Sequence, residues 1–200
     1  MHSVYGQGDK ETLKLLKEER ISGRWLNLGA GDGRYNNILL EKANSVLAAD
    51  IDKKELELLI KNTPKEYMPK LRTKVLDLAK KLPFEESSFD GVFCTGTLHF
   101  FKEPELKKII SEIQRILKPE GTLIIDFATD IKRVKKDGQL YVLENEPKYE
   151  LEQAWEMLSE LLKNFETKFY KGHVSEETVR QQGTEYKFSC SFILAKGIKL

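Results

Sequence analysis

The stretch "LNLGAGDGRY", residues 26–35, places Gly29, Gly31 and Gly33 between an apolar run and a helix-like pattern. Glycine lets the backbone turn sharply and come close to a bound group, so such a turn at a strand-to-helix junction marks a ligand loop. The dinucleotide fingerprint G-x-G-x-x-G requires a glycine where this chain has Arg34, and no G-K-[ST] follows the loop. Asp32 stands between the last two glycines, and its charge opposes a pyrophosphate. The loop suits a zwitterionic or cationic ligand.

Outward from the loop, short β-like runs alternate with helical patterns. "RWLNLG" (24–29), "SVLAAD" (45–50), "RTKVLD" (72–77), "FDGVFCTG" (89–96) and "TLIIDFA" (122–128) read as strands. A helix is expected over 9–20. Another, over 103–117, carries Leu106, Ile109, Ile110, Ile113 and Leu117 on one face. The fifth run is apolar on both faces, as in a central parallel strand. The alternation predicts an α/β fold with a doubly wound, Rossmann-like sheet and ligands outside the carboxyl ends of its strands. Beyond residue 130 the pattern changes to a hairpin around Asp137 and Gly138. A helix with Leu151, Trp155, Leu158 and Leu162 on one stripe follows, then the runs "FETKFYKG" and "YKFSCSFILAKG".

With 200 residues, 40% hydrophobic and 32% charged, the chain is long enough for one good core and short for two domains. Its net charge of +1 provides no global field toward nucleic acid or an anionic membrane. No apolar run approaches the roughly 20 residues of a membrane span, and the first residues lack a signal-peptide core. A cytoplasmic address is expected. Cys94 and Cys190 lie in apolar strand-like runs and read as small buried hydrophobes. His2, His99 and His173 lack ligand spacing, so no metal site is expected.

Two further carboxylates sharpen the ligand class. Asp50 ends the second strand 21 residues after Gly29, where an acidic side chain accepts from ribose hydroxyls. Asp77, followed by Leu78, ends the third, where it could accept from an adenine amino group. Adenosine fits both without phosphates, although each carboxylate alone also reads as a cap or a solvated strand end.

These residues resemble the class I S-adenosylmethionine-dependent methyltransferases over most of 24–128. The resemblance rests on "LNLGAGDG", "AADID", "LDLAKKLPFEESSFDGVFCTGTLHF" and "ILKPEGTLII". The third block is similar to the small-molecule branch related to the ubiquinone-biosynthesis methyltransferases. The resemblance implies a seven-stranded sheet, mostly parallel with an antiparallel last strand, and S-adenosylmethionine as cofactor. It implies one domain over 1–200: an N-terminal segment (1–23), a cofactor-binding core (24–128), an insertion near the substrate site (129–149) and a C-terminal helix and strands (150–200).

By the same resemblance, Gly29, Ala30, Gly31 and Gly33 pack against the methionine part of the cofactor. Asp50 takes the ribose, Ile51 flanks the adenine, Asp77 and Leu78 meet its polar edge, and Thr95 lies near the reactive end. The family usually has Asp or Glu where this chain has Asn27, so the contact near the cofactor's amino group would lack a charge.

The sulfonium methyl is already activated, so alignment and exclusion of water are the main tasks. His99 is the candidate catalytic base for an acceptor that must lose a proton, against a structural role capping the loop before Pro104. Tyr5 and Gln7 are candidates to cover the cofactor. Lys132, Arg133, Lys135 and Lys136 read as a solvated hairpin or as a site for an anionic acceptor or RNA. Tyr141, Tyr149 and Trp155 read as core or as a platform for a planar substrate. A small-molecule acceptor leads, with no membrane partner. An RNA or protein methyltransferase and a non-catalytic S-adenosylmethionine-binding protein remain the alternatives. The failed glycine spacing sets an NAD-dependent oxidoreductase below them, and the acidic constellation of an aminopropyl transferase is not found.

Overall fold

The computed structural model of the chain describes residues 10–181 and 184–200. The elements run α1 (Lys10–Glu18), β1 (Arg24–Leu28), α2 (Asn36–Lys42), β2 (Ser45–Asp50), α3 (Lys53–Asn62), β3 (Leu71–Val75), β4 (Phe89–Cys94), α4 (Glu103–Ile116), β5 (Leu117–Lys135), α5 (Leu151–Leu161), β6 (Phe165–Gln181) and β7 (Thr184–Lys199). The strands form one seven-stranded sheet in the order β3-β2-β1-β4-β5-β7-β6. Adjacent strands from β3 to β5 are parallel, and β7 runs antiparallel to both its neighbours. The expected mostly parallel sheet with an antiparallel last strand is the one observed.

Two apolar layers sandwich the sheet. One face buries Leu26, Leu28, Val92, Leu123 and Ile125 with the α4 stripe Leu106, Ile109, Ile110 and Ile113 and with Leu158 of α5. The other buries Trp25, Val46, Ala48, Phe93 and Ile124 against Leu39 and Leu40 of α2, Leu56 and Leu59 of α3 and Leu16 of α1. Each such leucine or isoleucine contributes roughly 1.5–3 kcal/mol on removal from water. α4 starts where its spacing says it should: the Glu105 carboxylate accepts from the Lys102 N–H at 2.9 Å, and Pro104 occupies the first turn. Lys42 Nζ donates to the carbonyls of Leu16, Lys17 and Glu19 and ties the end of α1 to α2.

Several boundaries differ from the sequence expectation. β3 ends at Val75 rather than 77. One more ladder bond follows, from the Leu76 N–H to the Asp50 carbonyl at 2.9 Å, and then the chain turns. β3 and β4 are joined by residues 76–88 without a helix. That segment is held to α4 by Arg115, which donates to the Leu82 and Phe84 carbonyls at 3.0 and 2.8 Å, and by Glu112, which accepts from the Leu82 N–H at 2.9 Å. The fifth strand is much longer than 122–128, because β7 offers an antiparallel ladder along most of its length. Register shifts between Thr129 and Lys132 and between Val174 and Glu177 re-aim the strands beyond the end of β4. The expected turn at Asp137 and Gly138 is present, with Gly138 N–H donating to the Lys135 carbonyl at 2.9 Å. Among the described residues no helix is long and apolar enough to cross a membrane.

Candidate functional site

β1 sits between β2 and β4, so the connections leaving β1 and β4 part to opposite sides and open a crevice at their carboxyl ends. The glycine loop lines it. Gly29 has φ +64°, and a Cβ there would stand 2.0 Å from Thr97 Oγ1. Thr97 thus fills the place of the missing side chain, with its hydroxyl donating to the Thr95 carbonyl at 3.0 Å. Gly31 (φ +50°) and Gly96 (φ +63°) differ: a Cβ at either would meet no atom within 4 Å. These two glycines border open space on opposite sides of the crevice.

Asp50 fixes the loop. Its Oδ2 accepts from the Gly31 N–H at 2.8 Å and its Oδ1 from the Asp52 N–H at 2.9 Å, while the Ala30 N–H reaches the Ala49 carbonyl at 3.0 Å. Each carboxylate oxygen keeps a second lone pair, so hydroxyl groups can still be accepted. Asn62 of α3 donates to the Asp32 carbonyl at 3.0 Å and holds the far side of the turn. The Glu55 carboxyl is raised above its usual range by burial, then by Asp32, Asp52 and Asp50. That concentration of negative charge opposes phosphates and favours a cation. Beside it, the Ile51 side chain is 68% exposed, an apolar surface at the strand end where a planar ring would lie.

Asn27 is buried and uncharged, and its amide donates to Asn36 Oδ1 at 3.3 Å. The Asn36 amide nitrogen finds no partner among the described residues. Asp77 lies two residues past the end of β3. Its carboxylate accepts from the Ala79 N–H at 3.0 Å and faces Lys80 at 3.5 Å, so it serves as a turn cap. Leu78 is buried in the core beside it. Thr95 follows β4 directly, at the rim.

His99 lies in a short turn, Leu98–Phe100, with its ring 4.1 Å from that of Phe100. Its Nδ1 has no partner among the described residues. Burial first, and the Arg133 cation second, push its pKa down to about 3. A proton taken up there would be weakly held, which disfavours His99 as a general base.

The basic cluster is dispersed. Arg133, far from solvated, is buried and makes two bonds to Glu146 at 2.6 and 2.8 Å. Lys136 pairs with Glu185 at 2.8 Å, and Lys135 lies 5.8 Å over the Tyr141 ring. Tyr149 donates to the Phe101 carbonyl at 2.8 Å and packs edge-on against Phe127. Tyr141 lies against Tyr186, and Trp155 against Phe169, so all three aromatics are engaged within the protein. Tyr5 and Gln7 lie outside the described residues. The sequence reading passed over Thr97 and Asp126. Asp126 Oδ1 accepts from the Gly96 N–H at 2.6 Å, and its only sequence signal is an acid closing the apolar run "TLII". Among the described residues no group of three His, Cys, Asp or Glu side chains could hold a metal ion.

The chain is 34% identical over 111 residues to an uncharacterized methyltransferase of Synechocystis, a match covering 56% of this chain and 48% of that one. It spans about half the length of that curated relative. The solved structure of the YcgJ protein from Bacillus subtilis superposes with a TM-score of 0.67 at 18% identity, covering 96% of this chain and 99% of that one. An S-adenosylmethionine-dependent methyltransferase from Mesorhizobium loti superposes with a TM-score of 0.66 at 14% identity, covering 97% of this chain and 100% of that one. At such identities the likeness is one of fold. The family model described as a methyltransferase domain matches residues 26–125, half of the chain, and on that match the chain belongs to the class I S-adenosylmethionine-dependent methyltransferases.

Proposed function

We propose that the chain transfers a methyl group from S-adenosylmethionine to a small-molecule acceptor, as an enzyme of the branch related to the ubiquinone-biosynthesis methyltransferases. The observation that carries this reading is the Asp50–Gly31 bond. It closes a positive-φ glycine loop beside open space, with carboxylates around it and exposed Ile51 next to it. The residues present fit an adenosyl ligand with a cationic centre and no phosphates. When bound, the cofactor supplies a methyl group already activated on sulfur.

The chain's own part is placement. Gly29, Ala30, Gly31 and Gly33 offer a loop without bulky side chains to the methionine portion. Asp50 offers its remaining lone pairs to the ribose, and Ile51 and Leu78 offer apolar surface to the adenine. Asp77 contributes less than its sequence position implies, because Ala79 and Lys80 already engage it. Asn27 provides a neutral floor where the family resemblance implies an acid. Thr95 stands at the reactive end, and His99 stays neutral beneath residues 129–149, which form the acceptor side of a single domain. Arg133, buried against Glu146, is withdrawn from RNA or an anionic acceptor. A cytoplasmic place of action belongs to this reading, supported by Cys94 and Cys190, both buried and in no disulfide.

Calorimetric titration with S-adenosylmethionine, S-adenosylhomocysteine and NAD tests it. Micromolar binding of the first two and none of the third is expected, and binding of NAD alone or of nothing overturns it. Asp50→Ala should weaken cofactor affinity by about tenfold to a hundredfold, the size of lost hydrogen bonds to a charged group. Unchanged affinity would remove Asp50 from the site.

A further inference from the structure

The glycine loop is held from two sides by different elements. From β2, the Asp50 carboxylate takes the Gly31 N–H at 2.8 Å, and the Ala49 carbonyl takes the Ala30 N–H at 3.0 Å. From the turn after β4, Thr97 closes on Gly29. Its Oγ1, Cβ and Cγ2 all crowd the place that a Cβ on Gly29 would take, the last two at 2.9 Å. Thr97 is itself fixed: its hydroxyl donates to the Thr95 carbonyl at 3.0 Å, and its own carbonyl accepts from the Phe100 N–H at 3.2 Å. Burial pushes the Cys94 thiol up, and the Thr97 hydroxyl, a hydrogen-bond partner of that thiol, pulls against it. These contacts hold a half-buried threonine in one orientation, set against a backbone with no side chain of its own.

We propose that Thr97 is a positioning residue for the cofactor. Anchored on the Thr95 carbonyl, it sets how closely the Gly29 turn approaches the end of β4, and with it the floor under the amino-acid end of the ligand. The inference rests on the reading that this crevice binds S-adenosylmethionine. Asp50 does not perform this task, because its bonds reach Gly31 and Asp52 and stop short of Gly29. The two fastenings thus serve two ends of one ligand, Asp50 the adenosine end and Thr97 the amino-acid end. With Thr97 truncated, the turn around Gly29 relaxes into the vacated space while the adenosine side stays tied to β2. Alignment of a transferable group tolerates little displacement, so a residue that acts only through the loop still governs the site.

Dissociation constants for S-adenosylhomocysteine and adenosine test the proposal, measured by calorimetry on the wild type, Thr97→Ala and Thr97→Ser at a temperature where each is folded. Thr97→Ala removes both branches of the side chain. It should weaken S-adenosylhomocysteine about tenfold while changing adenosine less than about twofold. Thr97→Ser keeps the hydroxyl on the Thr95 carbonyl and should stay within about threefold of the wild type for both ligands. A residue that merely supported the fold would lower both affinities together. Equal weakening of both ligands by Thr97→Ala, or no weakening of either, overturns the proposal, and so does a Thr97→Ser variant as weak as Thr97→Ala. If Thr97→Ala does not fold, Thr97→Val decides in its place, because it fills the space without donating to Thr95. It should lose about threefold in affinity for S-adenosylhomocysteine with adenosine unchanged, and equal losses or none overturn the proposal. A wild type that binds neither ligand fails the cofactor reading itself. That result is distinct from one that binds both with affinities Thr97 does not control.

Discussion

The two halves of the crevice are built in opposite ways. On the cofactor half, formed by the ends of β1, β2 and β4, backbone groups define the site and space is left open above Gly31 and Gly96. On the other half, formed by β5 beyond Thr129 and residues 136–149, side chains satisfy one another. Arg133 is locked to Glu146, Tyr149 to the Phe101 carbonyl, and Lys136 to Glu185. A glycine loop can serve any adenosyl ligand, because it presents N–H groups whose placement depends on φ and ψ alone. A roof made of side-chain pairs is particular to its own sequence, and so is what it admits.

Breaking one pair of the roof should have the largest effect. Arg133→Met leaves Glu146 buried without its partner and should destabilise the protein by about 3–5 kcal/mol, whereas replacing both Arg133 and Glu146 with apolar residues should recover most of that loss. Denaturant unfolding of the two single variants and the double variant measures this. Equal destabilisation by all three would mean that the pair is not the fastening.

On the cofactor half the corresponding test is the contrast between two glycines. Gly29→Ala meets Thr97 Oγ1 and adds backbone strain, and should cost roughly 3 kcal/mol. Gly31→Ala meets nothing within 4 Å and should cost only the strain, about 1–2 kcal/mol, while narrowing the space for ligand. Thermal unfolding together with cofactor titration separates the two. A Gly31 variant as unstable as the Gly29 variant would mean the space is not open.

A further effect concerns pH. His99 is held neutral in the folded protein, with its pKa pushed down to about 3 from an ordinary value of 6.5. Between those values the unfolded chain binds a proton that the folded chain does not. Stability is therefore fully present above the ordinary value and declines as pH falls toward 3, at no more than about 1.4 kcal/mol per pH unit. His99→Gln should flatten that limb of the stability curve, and an unchanged slope between pH 6 and pH 4 would contradict the buried neutral ring.

The same contrast explains what could be read from the chain beforehand. The alternation of strands and helices and the pairing of the glycine loop with Asp50 were legible because they rest on local rules: apolar period, glycine spacing, and an acid at a strand end. That Asp77 also caps its own turn was not legible, because the Leu76 ladder bond that ends β3 short of it is a tertiary detail. Arg133 was less legible still. In sequence it stands among lysines, and only the fold brings Glu146 and Phe188 to it from distant positions. Asp126 and Thr97 escaped notice because their roles depend on what lies across from them on another strand, Gly96 and Gly29.

β5 runs unbroken from Leu117 to Lys135, with its register shifting between Thr129 and Lys132. The stretch of β5 paired in the parallel core and the stretch beyond Thr129 are therefore two parts of one strand, separated by an irregularity that absorbs offsets. Residues gained or lost at the Asp137–Gly138 tip would be taken up on the far side of that shift, leaving the Thr122–Thr129 ladder undisturbed. The tip is thus the part of the sheet whose length can change with the least consequence for the glycine loop and Asp50.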